Sequence, residues 1–139
     1  MRTLRHLGQT GPVNRTILPP GMAPPAAKYA HAVLSEQPQR ILHTSGVVPT
    51  QVDGTVPADI AAQADVVWTN IGALLTEAGM TVRDIVSITT YVVVGHPLAD
   101  VMAARDRALD GHLAASTLLT VPALARPEWA VEIAVVAAS

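Results

Sequence analysis

The chain contains no cysteine, and this absence removes several kinds of chemistry at once. Disulfide bonds, thiolate metal ligands and a cysteine nucleophile are all excluded. Phenylalanine is also absent, and charged residues amount to 14% of the sequence, against about 25% in an average soluble domain. Since 50% of the residues are hydrophobic, a small domain with so few charges is expected to hide part of its surface in an oligomer.

Long apolar runs and an excess of positive charge are missing as well. No apolar stretch reaches the roughly 18 residues that a membrane-spanning helix needs. The net charge of −2 argues against a general nucleic-acid binder, because such proteins usually carry a basic stripe. The basic N-terminus, residues 1–6, lacks the apolar core and cleavage site of a secretory signal. We therefore expect a cytoplasmic protein without membrane or nucleic-acid partners.

Common cofactor and hydrolase motifs are also absent. The sequence has no Gly-x-Gly-x-x-Gly, no phosphate-binding loop and no Gly-x-Ser-x-Gly nucleophile elbow. None of its five histidines stands four residues from another on a helix that also carries a glutamate, the spacing of a zinc-protease site. We expect neither a metal nor a cofactor.

What is present predicts one domain of 139 residues. A proline-rich segment, 18–25, must be irregular because proline fixes φ and removes a backbone donor. It separates an N-terminal strand from the core, so that residues 1–28 precede a core of residues 29–138. Apolar and β-branched residues predict strands over 29–34 and 40–48, with residues 36–39 as the turn between them.

The rest of the core alternates helices and strands. Apolar residues at helical spacing predict a helix over 59–78, with Leu74 and Leu75 on its buried face. A strand over 85–94 follows, and a second helix then runs from Leu98 to Leu113, with Arg105 on its polar side. Two terminal strands are predicted, over 117–121 and 130–137.

This order predicts an α+β fold. A single mixed sheet with two helices packed on one face satisfies it, and the helical crossovers should be right-handed. No helix remains to cover the other face of the sheet, although its strands are apolar on both sides. We expect other subunits to cover that face.

Several short segments between residues 29 and 137 follow one another in a recognisable order and spacing. They are Tyr29 to Val33, His43 to Pro49, Gln63, Asn70, Leu74 to Gly79, Asp84 to Val86, and Val131 to Ile133. Together they resemble the RidA (YjgF, or L-PSP) family of imine and enamine deaminases. The resemblance implies a chorismate-mutase-like fold. It also implies a homotrimer with a small-molecule site in each of three clefts between subunits.

The departures from the family pattern concentrate in the implied site. Ser116 stands where the family has an arginine that binds the substrate carboxylate. Val47 replaces a glutamine, and Met102 falls near the position of an asparagine on the second helix. Tyr29 and Ser45 remain, as does the terminal glutamate.

That glutamate, Glu132, is the catalytic candidate. A carboxylate among apolar residues is costly unless it is hydrogen-bonded, and desolvation would suit it to proton transfer or to positioning water. A structural carboxylate is the alternative. The resemblance implies substrate contacts from Tyr29, Ser45 and Gly46, and further contacts from Val47, Met102, Ser116 and Thr117. The alternative for Ser116 is that it simply begins a strand.

Four other residues are secondary candidates. His31 and His112 could serve as a neutral-pH acid or base. Arg126 could restore an anion anchor from the loop that follows the Ser116 strand, and Trp129 could flank the cleft. A solvated arginine and a surface histidine at a helix end are the alternatives.

The sequence therefore favours a RidA-like enzyme that hydrolyses or tautomerises imine, enamine or related carbonyl metabolites. Without the arginine, it is not expected to be an ordinary 2-iminobutanoate deaminase. A non-catalytic, metabolite-binding or regulatory trimer is the main alternative. A ribonuclease is the third, and the acidic charge balance disfavours it.

Overall fold

The computed structural model describes residues 12–139. The first long helix, α1, spans Ile60–Glu77. Asp59 caps its N-terminus, since its carboxylate accepts a hydrogen bond from the Ala62 amide at 3.1 Å. Gly79 follows the C-terminal end with a φ of 70°, a left-handed conformation that glycine adopts without strain. The predicted helix is confirmed.

A four-stranded mixed sheet lies against this helix. Its strands run in the order β3, β6, β4, β5, with only β4 and β5 parallel. Their bounds are Ile41–His43 for β3, Ile85–Val93 for β4, Ala115–Val121 for β5 and Val131–Ala138 for β6. The α+β fold with two helices and a mixed sheet is therefore confirmed.

The N-terminal strands form a separate two-stranded ribbon. Strand β1 (Asn14–Ile17) pairs antiparallel with β2 (Ala32–Ser35). The chain does turn between β2 and β3, where Gln37 has a φ of 52°. However, β3 pairs with β6 and not with β2. The strands predicted over 29–34 and 40–48 are therefore too long. The turn between them does not join paired strands, because each strand pairs with a segment distant in sequence.

The second helix, α2, spans Leu98–Leu109 and packs against α1. It ends four residues before the predicted end, because Asp110 takes a left-handed conformation with φ 45°. Arg105, expected on the polar side, is only 5% exposed. It stands four residues from both Val101 and Leu109 on one helical stripe, so it is buried with them. Its Nε donates to Asp106 Oδ1 at 3.1 Å.

Leu74 of α1 is a further correction, because its side chain is 44% exposed. Its neighbour Leu75 is buried, and successive residues on a helix point about 100° apart. Only one of the two leucines can therefore face the core.

The two sides of the sheet differ in their environment. The side under the helices carries the buried core residues, such as Ile88 and Val92 of β4 and Ile133 and Val135 of β6. The opposite side, here called the open face, is half-buried or exposed. By strand register it comprises Ser87, Thr89, Tyr91, Val93, Ala115, Thr117, Leu119, Val121, Glu132, Ala134 and Val136. Neither helix within residues 12–139 is long and apolar enough to cross a membrane.

Candidate functional site

Glu132 lies on the open face, between two core residues of β6. Val131 and Ile133 are both fully buried under the helices. Because successive side chains of a strand point to opposite faces, the carboxylate is directed away from the core. It is half-buried, and no Lys, Arg or His within residues 12–139 forms an ion pair with it.

Gly46 lies directly beneath this carboxylate. A Cβ atom built on Gly46 would overlap Glu132 Oε2, so only glycine leaves the space that the side chain occupies. The glycine is held in place by its neighbour Val47, which exchanges two backbone hydrogen bonds with Ile133 at 2.7 and 3.0 Å. The structure thus brings together two of the predicted site residues, with the exposed Ser45 beside them.

Val47 itself faces the other way. It is 9% exposed, and its side chain belongs to the core cluster with Ile133. Val47 therefore packs under the helices and does not line the surface next to Glu132.

Tyr91 is a neighbour of Glu132 that the sequence analysis did not single out. The two residues are direct cross-strand partners on β4 and β6, and side chains so placed are about 5 Å apart at Cβ. Tyr91 is half-buried. The sequence does contain a signal for this placement. Side chains alternate between the two faces along 85–93, which puts Tyr91 on the side opposite Ile88 and Val92.

Strand β5 lies beside β4 and continues the open face. Thr117 pairs with Thr89 and is exposed on that face. Ser116 pairs with Ile88, so its side chain is directed to the helix side, opposite to Glu132. Whichever residue of β5 matches the family's arginine, the strand reads Ala-Ser-Thr-Leu-Leu-Thr-Val and offers no cation.

Tyr29 lies beside the beginning of β5. Its neighbour Ala30 bridges Ala115 and donates a backbone hydrogen bond to the Ala114 carbonyl at 2.9 Å. The Tyr29 ring meets His31 edge-on at 6.0 Å between centroids. His31 Nε2 in turn lies 2.6 Å from the carbonyl oxygen of Ala23. These contacts place Tyr29 and His31 together at one end of β5.

Within one subunit, this end of β5 is far from Glu132. Ala115 pairs with Ser87, which precedes Tyr91 by four residues on β4. At about 3.3 Å per residue, the beginning of β5 next to Tyr29 lies roughly 13 Å along the sheet from the Tyr91–Glu132 pair. A small metabolite cannot bridge that distance within a single subunit.

The remaining candidates lie elsewhere. Met102 is half-buried on α2, across the sheet from Glu132. The Arg126 guanidinium stacks over the Trp129 ring at 5.4 Å and lies 3.9 Å from Glu128 Oε1. His112 Nε2 lies 2.8 Å from the Ile85 carbonyl oxygen. The structure does not bring these side chains together with Glu132.

Two polar residues of α1 hold the loops around the site. Gln63 is 2% exposed. Its Nε2 donates hydrogen bonds to the carbonyls of Pro57 and Glu128, both at 2.8 Å. Its Oε1 accepts a hydrogen bond from the Ala130 amide, also at 2.8 Å. Asn70 donates to two carbonyls of the loop that follows Gly46, at 3.2 and 3.1 Å. Both residues therefore act through the loops and do not reach the open face.

No group of three or more metal-ligating side chains is found among residues 12–139.

Comparisons with known proteins show what this chain is similar to in sequence and in fold. Two curated relatives are each 46% identical over 50 residues, 35% of this chain: a RutC family protein from Haemophilus influenzae and the 2-iminobutanoate/2-iminopropanoate deaminase of Escherichia coli strain K12. The matched stretch spans only 38% and 39% of their respective lengths.

A solved structure covers far more of the chain. The Rid-family protein YyfB of Yersinia pestis, itself described as of unknown function, is 34% identical with a TM-score of 0.83. The match covers 91% of this chain and 99% of that one. The family model described as Endoribonuclease L-PSP matches residues 21–139. The chain therefore belongs to the L-PSP family, the RidA/YjgF proteins.

Proposed function

We propose that this protein is a RidA-like enzyme that hydrolyses or tautomerises small imines, enamines or related carbonyl compounds on the open face. One observation carries the proposal. The Glu132 carboxylate lies over Gly46 and beside Tyr91, in a row of otherwise uncharged side chains. A carboxylate without a cationic partner is free to accept a proton from a bound water.

The chemistry follows from these two side chains. Glu132 accepts a hydrogen bond from water and directs its oxygen to the carbon of a C=N bond. Tyr91 lies close enough to donate a hydrogen bond to the substrate nitrogen. Addition of water to the C=N bond forms a carbinolamine, with the water proton passing to Glu132. Return of that proton to the nitrogen and cleavage of the C–N bond then give the carbonyl product and ammonia.

The missing arginine determines the preferred substrates. A hydrogen bond to a charged group contributes about 1.5–3 kcal/mol, which is roughly one to two decades in affinity. A strand made of Ala, Ser, Thr, Leu and Val cannot supply the bidentate contact that a carboxylate would receive from arginine. We therefore expect imines that lack an α-carboxylate to be preferred.

The complete pocket requires a second subunit. Within one chain, the beginning of β5 next to Tyr29 is separated from the Tyr91–Glu132 pair by roughly 13 Å. In the homotrimer that we propose, Tyr29 and Thr117 of a neighbouring protomer complete the cleft around Glu132, and Ser45 of the same protomer lies at its edge. The half-buried, largely uncharged open face supports such an assembly.

The test is ammonia release from an aliphatic imine without a carboxylate, compared with 2-iminobutanoate. We expect turnover of the first, weak turnover of the second, and loss of both in Glu132→Gln. Glu77→Gln is the matched control, because Glu77 is exposed on α1. Turnover of 2-iminobutanoate at the rate of an arginine-containing relative would overturn the substrate preference.

The same experiment separates catalysis from binding alone. If carbonyl metabolites raise the thermal midpoint of both wild type and Glu132→Gln, and no chemistry is detected, the protein is a metabolite-binding trimer. A ribonuclease role has little support, because contacts to phosphate need cations and β5 provides none.

A further inference from the structure

A group of basic side chains lies at the opposite end of the sheet from Tyr91. There a cavity of about 420 Å³ opens between the β1–β2 ribbon and the turn that follows α2. Its polar wall includes Arg15, Arg83 and His112, and its apolar wall is formed by Val33, Ile85 and Leu113. This volume lies within the range of small-molecule sites.

The cavity is separate from the site around Glu132. Ile85 lines the cavity and begins β4, while Tyr91 stands six residues further along the same strand. At about 3.3 Å per residue this separates the two regions by roughly 20 Å. A compact ligand in the cavity therefore does not touch Glu132 of the same subunit.

The Arg83 charge is not neutralised by its contacts. Its Nη2 donates to the Asp110 carbonyl at 3.0 Å, which orients the guanidinium and leaves its charge intact. The adjacent Asp84 is engaged in a capping box, where its Oδ2 accepts from the Thr81 amide at 2.9 Å. Asp84 thus caps the 3-10 turn Val82–Asp84 and forms no ion pair with Arg83.

Arg15 adds a second guanidinium with only a weak partner. Its nitrogen lies 3.7 Å from Glu36 Oε1, and the two side chains are 60% and 46% exposed. Exposed pairs of this kind contribute little because water screens them. Within residues 12–139, no acidic residue lines the cavity itself. Glu36 stands beside Arg15, and Asp84 lines an adjoining cavity that shares Arg83 and His112.

His112 is held in a fixed orientation at the edge of this cavity. A carbonyl oxygen can only accept a hydrogen bond, so the 2.8 Å contact with Ile85 makes Nε2 the donor. The turn that places the ring is built from Asp110 and Gly111, with φ of 45° and 85°. The imidazole is therefore fixed by its own hydrogen bond rather than free in solvent.

We propose that this cavity is a second ligand site, which binds a phosphate group, either as free phosphate or carried on a small metabolite. Two guanidinium groups provide several N–H donors for the oxygens of a doubly charged anion. The His112 imidazole, whose Nε2–H is already donated to the Ile85 carbonyl, forms part of the wall beside them. The apolar wall of Val33, Ile85 and Leu113 accommodates the organic part of a phosphate ester.

The experiment is calorimetric titration of the full chain with inorganic phosphate and with phenyl phosphate, at constant ionic strength set by sodium chloride. We expect saturable binding of at least one ligand, and a Kd about tenfold or more higher in Arg83→Gln. Tighter binding of phenyl phosphate would identify an organic phosphate as the ligand, and equal binding would identify phosphate itself.

Arg107→Gln is the matched control. It removes the same charge from an exposed position on α2, where Arg107 Nη2 contacts Asp65 at 2.9 Å outside the cavity. Its Kd should equal that of wild type. If Arg83→Gln unfolds the protein, Arg15→Gln replaces it, since that side chain is exposed on β1.

Two results would overturn the proposal. One is the absence of saturable binding of either ligand. The other is an equal loss of affinity in Arg107→Gln and in the cavity variants, because this would reflect net charge alone.

Discussion

At the scale of single residues, the site depends on how a glycine and a carboxylate share space. Gly46 has no Cβ, and the Glu132 side chain fills the volume that a Cβ would take. The contact fixes the position of the carboxylate relative to Tyr91, its partner across β4 and β6. A change of one methyl group at Gly46 should therefore affect the chemistry more than the fold.

We predict that Gly46→Ala displaces the Glu132 carboxylate and weakens ligand binding and turnover at least tenfold. The free energy of unfolding should fall by less than about 1 kcal/mol, because Gly46 is exposed and the colliding group is the flexible end of a half-buried side chain. Ammonia-release assays and urea denaturation measure the two effects.

Gly72→Ala is the control for this substitution. Gly72 lies within α1, and a Cβ there meets no atom within 4 Å. The change should stabilise the protein by about 0.5–1 kcal/mol, because alanine loses less entropy in a helix than glycine does. Adding Glu132→Ala to Gly46→Ala should recover most of the lost stability; no recovery would mean that the methyl group collides with something other than the carboxylate.

At the scale of the elements, one buried amide joins α1 to the segment that leads into β6. Gln63 makes its three hydrogen bonds with backbone groups of Pro57, Glu128 and Ala130. Ala130 immediately precedes β6, the strand that carries Glu132. The amide therefore fixes where β6 begins.

We predict that Gln63→Ala lowers the free energy of unfolding by about 2–3 kcal/mol, because it leaves buried backbone groups without partners. Urea denaturation followed by circular dichroism measures the loss. Gln51→Ala, at an exposed position, should stay within about 0.5 kcal/mol of wild type. Equal effects at the two positions would show that the backbone groups near Gln63 find other partners.

At the scale of the whole molecule, the sheet is covered on one side only. The helices bury the β4 and β6 residues on one side, while the open face of β4, β5 and β6 is half-buried or exposed. Small and apolar residues such as Ala134 and Val136 occupy its centre. A second copy of the chain would remove this surface from water and bring two halves of the cleft together.

We predict that Ala134→Glu dissociates the proposed trimer, since an unpaired charge buried in an interface is strongly destabilising. Sedimentation equilibrium should show a mass of three chains for wild type and of one chain for the variant. Ala73→Glu, on the exposed surface of α1, should remain trimeric. A monomeric wild type, or a trimeric Ala134→Glu, would contradict this arrangement.

Helical features could be predicted from the sequence because they depend on near neighbours. Periodicity located α1 to within a residue at each end. The same periodicity could have identified Arg105 as buried, since it stands between Val101 and Leu109 on one stripe. The error there arose from treating charge as a guide to exposure.

Strand pairing could not be predicted in the same way. The segments predicted as adjacent strands found partners that are distant in sequence, so β2 pairs with β1 and β3 with β6. Register also decides which face a side chain occupies, because a shift of one residue exchanges the two faces. For this reason the placement of Val47 in the core and the orientation of Ser116 opposite to Glu132 were not evident from spacing.

The sequence by itself determined the family resemblance, the two helices, the carboxylate at Glu132 and the absence of any cation on β5, since each of these depends on residue identity or local spacing. Only the tertiary structure decided that Gly46 and Tyr91 surround that carboxylate, and that Arg15, Arg83 and His112 line a separate cavity. The physical reason is that both groupings join residues through strand register and long-range packing.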